Sequence, residues 1–182
     1  MKGLGIVMAM SFALSVHAQT PRITFKAPLL YPEGIVHDKN TDRFFVSSVT
    51  TGTIGTVGSD GTYKVFYEDS TLKSSFGMKT DGKKLWVCTG DPTYSKFGGP
   101  STRKKLIRLI GLDMAGKKTD DIDCSALLNG NHFLNDLALD DNGNKYLTDS
   151  YSPVVYKIDN NGKAEIFVQD SLLKGKDAAA IK

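Results

Sequence analysis

The stretch that decides the fold is Phe133-Leu134-Asn135-Asp136-Leu137-Ala138-Leu139, followed by Asn142-Gly143, Lys145-Tyr146-Leu147-Thr148, Val154 to Ile158, Asn161-Gly162 and Ala164 to Val168. Four short runs rich in apolar and β-branched residues, parted by Gly-containing turns, predict four antiparallel strands. The same pattern occurs twice upstream. Glu33-Gly34-Ile35-Val36, Arg43 to Ser48, Thr53 to Val57 and Tyr63 to Tyr67 form the first copy, with a Ser59-Asp60-Gly61 turn before its last strand. Phe76-Gly77-Met78-Lys79, Lys84 to Cys88, Leu106 to Leu112 and Thr119 to Cys124 form the second, with Asp81-Gly82 and Ala115-Gly116 turns. Glu33, Phe76 and Asn135 fall in register at a spacing on the order of 40–50 residues, the second gap being lengthened by a loop from Gly90 to Lys104. Four strands per unit at that period predict an all-β chain of β-propeller blades, at about 31–70, 75–125 and 133–170, and a β-sandwich with recurring turns is the alternative.

The first residues read differently. Lys2 precedes an apolar run from Gly3 to Val16, and Val16-His17-Ala18 offers a small-residue cleavage site, so residues 1–18 are expected to be a secretory signal and 19–182 the mature domain, secreted or periplasmic. The run is shorter than the roughly 20 apolar residues that a membrane span needs. A net charge of +3 over 182 residues, with Arg103-Lys104-Lys105 as its one basic run, gives no reason to expect a nucleic-acid partner. Cys88 and Cys124 are expected to be two buried thiols, because strands that are not neighbours hold their Cα atoms beyond the roughly 7 Å that a disulfide spans. A six-bladed ring at this period would take about 270 residues, so three blades read as a half-ring or fragment able to self-associate through open blade edges.

Strands in a meander alternate direction, so the start of each inner strand and the end of each second strand share one face. Glu33 and Asn135 begin inner strands, Asp91 and Asp149 follow or end second strands, and the Gly90 to Lys104 loop hangs over the same face. A carboxylate and an amide carbonyl converging on a channel are hard oxygen ligands, suited to Ca²⁺ first and Mg²⁺ next, and no Cys/His cluster has zinc spacing. Each residue alone has a plainer reading: Asn135-Asp136 as a turn bonded to its own backbone, Glu33 as an exposed side chain. His132, just before the third inner strand, is a candidate base or substrate contact if it faces the channel and a surface residue otherwise. No Gly-x-Ser-x-Gly elbow, phosphate-binding glycine loop or His-Glu-x-x-His is present, so serine hydrolase, nucleotide and metalloprotease readings lack support.

The wording Tyr31-Pro32-Glu33-Gly34-Ile35 with Arg43-Phe44-Phe45-Val46, and Phe133 to Ala138 with Asn142-Gly143-Asn144-Lys145-Tyr146-Leu147-Thr148-Asp149-Ser150, resembles the gluconolactonase, senescence marker protein and luciferin-regenerating enzyme (regucalcin-like) family. The resemblance implies a six-bladed propeller with a divalent metal in its channel, Ca²⁺ foremost, with Zn²⁺, Mg²⁺ or Mn²⁺ as substitutes, and hydrolysis of a small-molecule lactone or ester. It makes Glu33 a metal ligand and Asn135 a metal ligand or a catalytic group orienting the substrate. Asp149 is then expected to take part in catalysis at the pocket mouth, and Asp91, Asp136 and His132 to contact substrate. The family's remaining ligands come from fourth and fifth blades, for which this chain has no counterpart. A binding module without catalysis, or an inactive fragment, are the other readings.

Overall fold

The computed structural model describes residues 22–174, so the expected signal at 1–18 lies outside the described residues. Twelve strands form three four-stranded antiparallel sheets, each a simple meander. The first contains β1 (Ile35–Asp38), β2 (Arg43–Val46), β3 (Ile54–Gly58) and β4 (Tyr63–Tyr67). The second contains β5 (Ser74–Thr80), β6 (Lys84–Gly90), β7 (Ile107–Asp113) and β8 (Lys118–Asp123). The third contains β9 (Leu134–Leu139), β10 (Lys145–Asp149), β11 (Val154–Ile158) and β12 (Ala164–Gln169). This is the all-β, three-bladed arrangement that the repeats predict. Among the described residues no helix is long and apolar enough to cross a membrane.

Three of the hairpins, β7–β8, β9–β10 and β11–β12, share one device. An aspartate accepts backbone N–H groups from the turn that follows it, and a glycine three residues on takes a positive φ. Asp113, Asp140 and Asp159 each accept from residues two and four further along the chain, and Gly116, Gly143 and Gly162 have φ of 87°, 79° and 84°. The bond from the Lys163 N–H, foremost, holds the Asp159 carboxyl below the usual aspartate range.

Packing follows from position in the stack. The second sheet is covered on both faces, and its strands β6 and β7 read as near-continuous apolar runs, Leu85-Trp86-Val87-Cys88 and Leu109-Ile110-Gly111-Leu112. The third sheet is covered on one face, and its β11 alternates buried with half-buried residues. Phe45, Ile54, Leu72, Met78, Val87 and Ile110 fill the contact between the first two sheets, and Phe76, Cys88, Leu109, Leu137, Leu147 and Tyr156 the contact between the second and third. On the far side of the first sheet, the segment with Ile23, Phe25 and Ala27 packs over Val46, Val57 and Tyr63.

At the centre the inner strands come closer than side chains would allow. A Cβ on Gly34 would lie 2.4 Å from the Phe76 carbonyl oxygen, and one on Gly77 would lie 2.3 Å from Asp136 Oδ1 and 2.7 Å from the Asn135 carbonyl oxygen. Glycine at these two register positions therefore brings β1 against β5 and β5 against β9. Cys88 and Cys124 are buried and unbonded, separated by the intervening strand β7, and burial pushes both thiols up, Cys124 to about 12.

Candidate functional site

Ser47, at the end of β2, sets the first wall of the site. Its Oγ accepts the Gly34 N–H at 2.7 Å, and its own N–H donates to the Gly34 carbonyl at 3.0 Å, fixing Glu33 and Gly34 at the start of the inner strand. In the third sheet the carboxylate of Asp149 does the corresponding work: Oδ1 accepts the Phe133 N–H at 2.9 Å and the Tyr151 N–H at 3.0 Å. The first and second sheets are joined at the same level by the Ser48 N–H donating to Ser75 Oγ at 2.8 Å.

These anchors bring three inner strands around a cavity of about 400 Å³ lined by Glu33, Gly34 and Ile35 from the first sheet, Gly77, Met78 and Lys79 from the second, and Asn135 and Asp136 from the third. Its electrostatics are those of two carboxylates held near one cation. Burial, and then the charge of Asp136, raise the Glu33 carboxyl above its usual range. Lys79 Nζ lies 3.7 Å from Asp136 Oδ1, an exposed pair that offsets part of that charge. Asp136 also accepts the Leu137 N–H at 2.8 Å, the local bond that the plainer reading of Asn135-Asp136 expects, while still lining the cavity.

Glu33, Asn135 and Asp136 thus come together as expected, whereas Asp149, His132 and Asp91 do not join them. Asp149 is 0% exposed, and its second oxygen accepts from His132 Nδ1 at 2.7 Å and from the Tyr156 hydroxyl at 3.3 Å. Both oxygens of Asp149 are thus taken up inside the protein, away from the cavity that Asn135 lines. His132 is 2% exposed and neither a surface residue nor a channel residue. Its Nε2 faces the Leu128 carbonyl at 2.8 Å. The bond to Asp149, foremost, raises the imidazole's pKa above its ordinary value. Asp91, 1% exposed, organises the loop: Oδ2 accepts from Thr102 Oγ1 at 2.8 Å and from the Gly99 N–H at 3.2 Å.

That loop bridges all three sheets. The Lys96 N–H donates to the Thr50 carbonyl of the first, Ser95 Oγ to the Lys73 carbonyl beside the second, and the Lys104 carbonyl accepts the His132 N–H of the third. Lys79 is the site residue that the sequence reading passed over. Its signal was the alternation of β5, where Gly77 and Lys79 share a face opposite the buried Met78.

The same stacking of four-stranded meanders occurs in virginiamycin B lyase from Staphylococcus aureus, with a TM-score of 0.62 and 13% identity over 82% of this chain and 46% of that one. A chain of the nidogen/laminin complex gives 0.56 and 18% over 79% of this chain and 50% of that one. The fold is a β-propeller. A candidate gluconolactonase also matches, with a TM-score of 0.53 and 14% identity over 79% of this chain and 50% of that one. At these identities the likeness is one of fold, and the chain spans about half the length of the propellers it matches. No protein-family model matches it, and no curated protein matches it in sequence.

The donor set bears on the divalent metal that the resemblance implies. Two carboxylates and an amide carbonyl lining one cavity are of the hard-oxygen kind that Ca²⁺ and Mg²⁺ take. A cation between Glu33 and Asp136 would offset the burial and, after it, the Asp136 charge that raise Glu33. Among the described residues, however, no group of three or more His, Cys, Asp or Glu side chains is close enough to hold a metal. The fit is therefore in kind, with Glu33 and Asn135 as the protein's contribution.

Proposed function

We propose that the central cavity serves metal-assisted hydrolysis of a lactone or related ester. The observation that carries this reading is the convergence of Glu33, Asn135 and Asp136, from the first and third blades, on one cavity at the centre of the stack. The fold-level likeness to a candidate gluconolactonase and a virginiamycin B lyase supports an enzymatic use of such a face.

Glu33 and Asn135 would hold a divalent cation, Ca²⁺ by preference, which when bound polarises the substrate carbonyl and acidifies water. The chain's own residues supply the rest. The Asn135 amide N–H is a donor for the substrate carbonyl oxygen. Lys79, close to Asp136, is a second donor and places positive charge where the carbonyl oxygen gains negative charge. Asp136 keeps that ammonium in place. Ile35, at the start of β1, contributes apolar lining. In the overall reaction the water oxygen bonds to the carbonyl carbon, the ring C–O bond breaks, and the ring oxygen leaves as a hydroxyl.

Two measurements on wild type and Glu33→Gln test this. Calcium at 100 times its Kd is expected to stabilise the wild-type chain by about 2.7 kcal/mol over the chelator-treated protein, a gain that Glu33→Gln loses. Lactone turnover should depend on the metal and disappear in the same variant. Metal-dependent turnover that survives Glu33→Gln would exclude the assignment of Glu33.

A further inference from the structure

Beside the central cavity, and sharing Glu33 with it, lies an open groove of about 750 Å³ lined by Tyr31, Pro32, Glu33, Val49, Thr50 and Tyr94. Its two rings are far more exposed than aromatic side chains usually are, Tyr31 at 63% and Tyr94 at 64%. Neither stands on a loose segment. Tyr31 is held in a left-handed conformation, φ 44°, with its carbonyl accepting the Val49 N–H at 3.3 Å. Backbone in that region is strained for a non-glycine residue, and such strain gathers where a side chain must be aimed. Tyr94 belongs to the bridging loop, whose Lys96 N–H donates to the Thr50 carbonyl at 2.9 Å. The two walls are thus fastened to adjacent residues, Val49 and Thr50, and the groove between them exists before any ligand arrives.

The lining is poor in free polar groups. The Thr50 hydroxyl is committed to the Leu29 carbonyl, and Pro32 and Val49 offer none. Away from Glu33, the two phenols remain. A sugar lactone carries a hydroxyl on nearly every carbon and would leave most of them without partners here, a cost that an alkyl or aryl substituent does not meet. Such a substituent would instead cover the tyrosine rings, Pro32 and Val49. We propose that this groove seats the apolar side of the substrate, so that the site takes lactones or esters bearing an alkyl chain or aromatic ring in preference to polyhydroxylated sugar lactones. The proposal rests on the hydrolytic reading of the adjoining cavity, but its test need not.

Isothermal titration with two non-hydrolysable mimics, an octyl-substituted lactam and a polyhydroxylated gluconolactam, separates the questions. The octyl lactam is expected to bind at least roughly tenfold more tightly, and Tyr94→Ala to weaken it by roughly fivefold or more, as loss of an exposed aromatic anchor does. Tyr31→Gly, which suits the left-handed backbone, should do the same. Equal affinity for the two mimics, or octyl-lactam binding indifferent to both tyrosine variants, overturns the proposal. Tyrosine-dependent octyl-lactam binding in a chain without lactone turnover upholds the groove and removes the hydrolytic reading alone.

Discussion

On folding, His132 gains two hydrogen-bond partners, the Asp149 carboxylate and the Leu128 carbonyl. Its folded pKa is raised above the ordinary value of 6.5. The sign follows from linkage: the stabilisation is complete below pH 6.5 and is lost as pH rises through the raised value, because the unfolded chain no longer binds the proton that the folded one still holds. The thermal midpoint should therefore fall as pH is raised above 6.5, and a His132→Gln variant should lose that slope; an equal slope in both would assign it to other groups. A second residue-level expectation concerns Gly77. An alanine there would place its Cβ against Asp136 Oδ1 and the Asn135 carbonyl, so β5 and β9 must separate. Gly77→Ala should cost about 1–3 kcal/mol in urea unfolding, as overpacking does, and should weaken calcium binding more than an alanine replacing exposed Lys83.

At the level of elements, the loop 91–106 is tied down through Asp91, whose Oδ1 is buried without a partner among the described residues. Thr102→Val removes a donor from Oδ2 and leaves the carboxylate still less satisfied, at a cost of about 1–3 kcal/mol. Limited proteolysis should then cut within this loop first, while wild type resists there. The strands themselves were legible in the sequence: short apolar and β-branched runs parted by turns marked all twelve, since a strand's pattern is set by which of its faces is covered. The convergence of Glu33 and Asn135 was legible too, because register in a repeat carries over into position around the centre. What an aspartate at a strand end faces was not legible. Asp149 and Glu33 read alike as acidic residues on one face, yet Asp149 meets the Phe133 N–H, His132 and Tyr156, partners that only the stacking of β9, β10 and β11 brings within reach. Likewise the ring of His132 is sealed by Leu128, from a loop whose path the sequence pattern does not specify.

Across the whole molecule, the unequal cover of the three blades sets a gradient of local stability. The second sheet is packed on both sides, whereas β12 and β4 are largely exposed outer strands. Cys88 and Cys124 both sit in the contact between the second and third blades, fully closed to solvent. They are a pair of internal clocks. A thiol reagent can reach them only when that contact parts, so the labelling rate at increasing reagent concentration reports how often the two blades come apart. If labelling keeps pace with global unfolding, the stack opens as one unit; if it runs ahead, the third blade swings away on its own. In that second case Asn135 leaves Glu33 at the same rate, and the lifetime of the assembled cavity can be read from two sulfur atoms that take no part in it.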